Sequence, residues 1–194
     1  MRRGSFVFLT SALVVLAFFA GVALSPILVG KVEIGYRITP LQVQVLTDRD
    51  YYHYLIKDLE RANSTILVAM YELYYYPEHP DYWASKLVEE LVNAKERGVN
   101  VTVIIEHRTY WGTHDDKIKD AYDYLSEHGV TVILDEDDET DHMKLVIIDG
   151  YIVYVGSHNW TESGLYYNRE ASVRIVSEEV AEEFESYFWT IVRS

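Results

Sequence analysis

The chain has no cysteine, which excludes disulfides and cysteine-based zinc sites while leaving the redox compartment open. Positive charge is scarce: 17 Lys and Arg stand against 31 Asp and Glu, a formal net charge of −14. An overall field of that sign gives no long-range help in gathering nucleic acid or an anionic membrane surface. Internal repeats and low-complexity tracts are absent too, which excludes a solenoid. The 194 residues, less an apolar start, leave room for one domain of roughly 150 to 165 residues, enough to bury a substantial core.

Between Arg3 and Lys31 lie 27 residues without charge, rich in Val, Leu, Phe and Ala. As a helix, at about 1.5 Å per residue, they are long enough for the ~30 Å hydrocarbon core of a membrane. A cleaved signal peptide is the competing account, because Gly21-Val22-Ala23 offers small residues for a signal peptidase. The apolar run continues from there through Pro26 to Val29, past the ~7 to 15 residues of a signal h-region, so a retained anchor over residues 5–29 is expected. Arg2, Arg3 and the α-amine precede it, whereas Lys31 is nearly offset by Glu33. That asymmetry puts the N-terminus in the cytoplasm and the domain outside, or secretes the domain if the segment is cleaved. Residues 1–30 thus read as an anchor, 31–41 as a linker and 42–194 as a single domain, with 15 Lys and Arg against 31 acids after residue 30, a net −16.

Hydrophobic periodicity predicts strands at 41–46, 65–71, 99–106, 130–134, 144–148, 151–155 and 171–176. Helices are predicted at 50–62, 82–97, 115–128 and 178–192, two of them followed by Gly98 and Gly129 where a helix would stop. Asp149-Gly150 between two strands is a hairpin signal. The fold class expected is α/β: a mixed β-sheet flanked by helices on both faces, preceded by one N-terminal transmembrane helix.

One stretch carries more chemistry than the rest: His142, Met143, Lys144, then four residues and Asp149, followed by Gly156-Ser157-His158-Asn159 and Asn168-Arg169-Glu170. Side chains on a strand alternate faces, so His142 and Lys144 project to the same side while the run from Leu145 to Ile148 enters the interior. A nucleophile or proton carrier beside a fixed cation suits attack on phosphorus, whose anionic oxygens need positive charge as the bond forms. No metal is required for such chemistry.

The string resembles the HKD motif of the phospholipase D superfamily, including the later Gly-Ser-x-Asn and Asn-x-Glu segments, here 17 residues on at Asn159 and 28 on at Glu170. It looks most like the small, single-motif members, among them bacterial endonucleases and membrane-anchored phosphodiesterases. Family members use two HKD motifs in one site, one histidine attacking phosphorus and the other protonating the leaving oxygen. This chain supplies one, and none of the other histidines has lysine two residues on. The resemblance therefore implies a homodimer in which each chain donates its His142 across a twofold interface. Lys144 and Asn159 would bind the non-bridging phosphate oxygens, with Ser157 as a further candidate, and Glu170 would hold the far ring nitrogen of a histidine. Asp149, third letter of the motif, faces away from His142 by alternation and reads equally as catalyst or turn residue. Asn168 lies near the site in the family pattern, yet it also suits a loop. No cofactor is implied. Two histidines sharing one proton predict activity near neutral or mildly acidic pH.

Six acids among the seven residues 135–141 lack the glycine and terminal Glu of an EF-hand loop and read as a solvated turn rather than a cation site. The aromatics at 71–76, Tyr110-Trp111 and Tyr166-Tyr167 suit base stacking or lipid headgroups, and core or dimer packing equally well. A basic patch around Arg108, Lys117, Lys119, Lys144 and Arg169 remains compatible with the net charge. Three functions follow. A metal-independent phosphodiesterase acting on DNA or RNA ranks first, a phospholipase D or phosphatidyl transferase acting on membrane lipid second, and a non-catalytic, membrane-tethered binding domain third.

Overall fold

The computed structural model describes residues 42–106, 115–135 and 140–192. The expected anchor and linker, Arg108, Tyr110-Trp111 and four acids of the run before His142 lie outside the described residues. The described chain runs β1 (Gln42–Thr47), α1 (Asp50–Arg61), β2 (Thr65–Met70), α2 (Trp83–Glu96), β3 (Asn100–Glu106), α3 (Asp115–Glu127), β4 (Thr131–Asp135), β5 (Lys144–Ile148), β6 (Ile152–Gly156), β7 (Ala171–Val176) and α4 (Glu178–Ile191). Each predicted strand and helix is present, its ends displaced by at most one residue. A π-type turn at Ser163–Tyr167 was not predicted.

The seven strands form one sheet in the order β1-β7-β6-β5-β2-β3-β4. β2, β3 and β4 are parallel, because α2 and α3 carry the chain back between them. β5 pairs antiparallel with β2, and β6, β7 and β1 continue antiparallel. The β5–β6 hairpin closes through Asp149 and Gly150, both left-handed (φ 53° and 68°), with the Tyr151 N–H donating to the Ile148 carbonyl at 3.2 Å. That is the turn whose twist matches a hairpin.

Alternation along the strands divides the core into two. Val68, Val103, Val146 and Tyr154 pack with Leu55 and Leu59 of α1, Leu87 and Leu91 of α2, and Ala121 and Leu125 of α3. Leu67, Ile104, Leu145 and Val153 face the other way, where α4 lays down Ala181 and Phe188. The Ser177 hydroxyl caps α4 by accepting the Val180 N–H at 3.3 Å, and Glu178 and Glu179 in its first turn favour the positive end of the helix dipole. Helices thus cover both faces of a mixed sheet. Among the described residues no helix is long and apolar enough to cross a membrane.

The antiparallel β5 brings its first residue beside the last of β2, Lys144 opposite Met70. Beyond those ends the chain leaving β2 meets the chain leaving β6. Leu73 bridges Trp160, the Trp160 N–H donates to the Glu72 carbonyl at 2.9 Å, and the Tyr74 N–H donates to the Trp160 carbonyl at 3.0 Å. Functional side chains gather outside the ends of central strands in this way because loops, not the packed sheet, have room for a ligand.

Candidate active site

His142 is exposed, while Lys144 is buried with only 7% of its surface accessible. The Lys144 Nζ lies 3.3 Å from Nδ1 of His142 and donates to the His142 carbonyl at 3.0 Å. Tyr71 underlies both groups: its ring centroid is 4.3 Å from that of the His142 ring and 4.6 Å from the Lys144 Nζ. The ring face attracts the ammonium. Burial pushes the Lys144 pKa below the ordinary lysine value, and the charges of Glu72 and Glu170 oppose that shift. The same-side placement expected from strand alternation therefore yields an imidazole–ammonium pair.

Asn159 reaches the same end of the sheet. Its Nδ2 donates to Oε2 of Glu72 at 2.8 Å, and its Oδ1 is buried without a hydrogen-bond partner. Glu72 also accepts the Tyr74 hydroxyl at 3.1 Å. Neither Glu72 nor the placement of Tyr71 was foreseen from sequence; the cue available was only their position just past a buried strand.

The Glu170 carboxylate is engaged within its own chain, where it accepts the Ser157 hydroxyl and, at 3.1 Å, the Asn168 amide, rather than a ring nitrogen of His142. Ser157 is correspondingly engaged at the β6–β7 ends, where it also accepts the Ala171 N–H at 3.1 Å. Asp48 anchors this corner, its side chain accepting the Glu170 N–H at 3.0 Å and its N–H donating to the Glu170 carbonyl at 2.9 Å. Glu170 remains close enough to act on Lys144 by charge.

Asp149 is not brought to this group. It stands at the other end of β5, five residues from Lys144 or about 16 Å at ~3.3 Å per residue. Its carboxylate accepts the N–H groups of Asn63 (3.1 Å to Oδ2), Ser64 (2.8 Å) and Thr65 (3.0 Å), fixing the α1–β2 connection. The motif's third letter is therefore a turn residue in this fold. His158 is structural in the same sense. It is fully buried, stacked on Tyr51 at 4.3 Å, with Nδ1 2.7 Å from the Ser172 hydroxyl and Nε2 2.9 Å from the Asp48 carbonyl. Burial lowers its pKa, against the opposing influence of the Asp48 carbonyl and nearby acids.

The cations expected to form a basic patch have the following surroundings. Lys117 lies over the rings of Tyr74 and Tyr76, Lys119 pairs with Asp123, and Arg169 is exposed. A cavity of about 240 Å³ borders the His142 end of β5 on the α4 side, walled largely by Met143, Leu145, Val155, Phe184 and Tyr187. Among the described residues no group of three His, Asp or Glu side chains is placed to hold a metal ion.

The chain is similar to known proteins in sequence and in fold. Residues 55–192 match a family profile described as "Cardiolipin synthase, PLD-like domain". Cardiolipin synthase A of Escherichia fergusonii is 28% identical over 141 residues, which cover 68% of this chain and 28% of that protein. The chain thus spans under a third of the length of such relatives. Among solved structures, Nuc from Salmonella typhimurium, a phospholipase D family member, superimposes with a TM-score of 0.67 at 24% identity, covering 79% of this chain and 95% of Nuc. NucT from Helicobacter pylori gives 0.64 at 18% identity, covering 79% and 97%. At those identities the likeness to the two structures is one of fold.

Proposed function

The chain belongs to the phospholipase D superfamily of phosphodiester-acting enzymes, and on that premise we propose that it cleaves phosphodiesters without a metal, through a phosphohistidine formed on His142 at a site shared by two chains. The observation that carries this reading is the exposed His142 imidazole paired with a buried ammonium 3.3 Å away. The nucleophile reaches solvent while the fold holds the cation in place.

Phosphodiesters resist water because their charge repels nucleophiles, and catalysis has to remove on the order of 20 kcal/mol of barrier. Covalent catalysis divides that task. In the free site Lys144 donates to Nδ1, which leaves the proton of a neutral ring on Nε2. An entering phosphate oxygen draws the ammonium off the ring, and the ring's single proton passes through solvent from Nε2 to Nδ1, leaving Lys144 charged. Nε2 then attacks phosphorus, an N–P bond forms, and the P–O bond to the alcohol breaks. The partner subunit's His142, protonated, donates to the departing oxygen and afterwards deprotonates the water that releases the phosphoryl group. Asn159 offers an amide N–H to a phosphate oxygen beside Lys144.

Nucleic acid is the substrate we favour. The support is size: this single domain matches nearly the whole of Nuc and NucT, and small single-motif members of the superfamily include endonucleases. Phosphatidyl transfer or lipid hydrolysis is the second reading. It draws on the cardiolipin synthase description of the family profile, on the anchor expected over residues 5–29, and on the apolar cavity beside His142. To decide, the full-length chain and its His142→Ala variant would be incubated in EDTA with single-stranded DNA, duplex DNA, RNA, phosphatidylcholine vesicles and an aryl phosphodiester. Cleavage of lipid alone would reverse the ranking. Absence of turnover on every substrate would end the enzyme reading.

A further inference from the structure

Glu72 places a carboxylate where phosphate chemistry calls for cations. The group is held: Oε2 accepts an Asn159 N–H at 2.8 Å and Oε1 accepts the Tyr74 hydroxyl at 3.1 Å, so it cannot swing away without breaking both bonds. The same contact orients Asn159. One amide hydrogen is committed to Glu72, the Oδ1 is buried without a partner, and a single N–H is left for a phosphate oxygen. Around Lys144 the acting charges are Glu72 and Glu170, both negative.

We propose that Glu72 determines substrate charge: it fixes the Asn159 amide and offsets Lys144, so that the site accepts the single negative charge of a phosphodiester and disfavours the phosphomonoester of a cleaved product. A monoester carries about −1.5 to −2 near neutral pH. The first charge of a bound phosphate is met by Lys144 and a histidinium. A second charge adds to the repulsion from the Glu72 carboxylate, and at short range in a partly buried site one unit charge changes binding tenfold or more. The inference rests on the phosphodiester reading of this site, and it assigns Glu72 the discrimination between the two ester classes.

Calorimetric binding tests it, with His142→Ala as the common background so that diphenyl phosphate is not cleaved during the titration. Phenyl phosphate and diphenyl phosphate would be titrated into the full-length His142→Ala chain with Glu72 intact and with Glu72→Gln added. Gln keeps an acceptor for Asn159 and removes the charge, so phenyl phosphate should bind about tenfold tighter while diphenyl phosphate changes less than about threefold. With Glu72 intact in that background, phenyl phosphate should lose affinity relative to diphenyl phosphate as pH rises through about 6, where the monoester gains its second charge. An equal change for both ligands, or none, would overturn the proposal, as would a flat pH ratio with Glu72 intact. A wild type that cleaves no phosphodiester, while the binding ratio depends on Glu72 as expected, would instead sink the catalytic reading and leave the role of Glu72 standing.

Discussion

His142 and His158 are both histidines of one motif region, and their surroundings set opposite behaviour. His142 is exposed beside Lys144, whereas His158 is fully buried between Tyr51, Ser172 and Asp48. Since burial lowers the folded-state pKa of His158 below its unfolded value near 6.5, its contribution to stability is complete above that value. It declines as pH falls through 6.5 toward the lower folded pKa, because the unfolded chain then binds the extra proton. Thermal unfolding between pH 7.5 and 5 should show a loss in the wild type that is smaller in His158→Asn. His158→Ala should cost about 3 kcal/mol at pH 7.5, measured by urea titration, through a lost stack and two buried partners left unpaired. Lys144→Ala should lower kcat on an aryl diester roughly 10²- to 10³-fold, the scale for removing one electrostatic stabiliser of the reacting group. Burial also moves Lys144 deprotonation below the ordinary lysine range, so the alkaline limb of the activity profile should recede in Lys144→Arg, which stays charged.

At the level of elements, the ends of β5 divide stability from chemistry. Asp149→Ala leaves the N–H groups of Asn63, Ser64 and Thr65 without their acceptor and should cost about 1 to 3 kcal/mol in urea unfolding. The kcat on an aryl diester should stay within about threefold, because the residue is a strand's length from His142. Gly156 is a different kind of constraint. A Cβ there would lie 2.2 Å from the Ser172 Oγ and 2.5 Å from the Ala171 carbonyl oxygen, so Gly156→Ala must push β7 away from β6. Circular dichroism and activity should show both stability and turnover falling, since the displaced strand carries Ser172 against His158 and follows Glu170 directly. Element identity and ends were legible because each helix and strand has its own apolar period and several have stop signals such as Gly98 and Gly129. The π-type turn at Ser163–Tyr167 was not, because five residues carry too little periodicity to read.

At the scale of the whole molecule, one His142 per chain makes the proposed site a property of two chains. Mixing wild-type subunits with an excess of His142→Ala subunits, after allowing exchange, should reduce activity as the square of the wild-type fraction; a linear decline would point to sites complete within one chain. Sedimentation of the same mixtures reports the assembly directly. The sequence by itself determined the α/β class, the order and type of the elements, and the pairing of His142 with Lys144, because these depend on local period, turn chemistry and alternation along one strand. Only the tertiary structure decided what stands around that pair. Glu72 and Tyr71 enter the site because β2 lies antiparallel to β5, Asn159 because the chain leaving β6 bridges to Leu73, and Asp149 leaves it because its strand ends on the far side. Such contacts join residues 70 to 90 positions apart, and no local pattern encodes a distance between segments that only meet when the sheet forms.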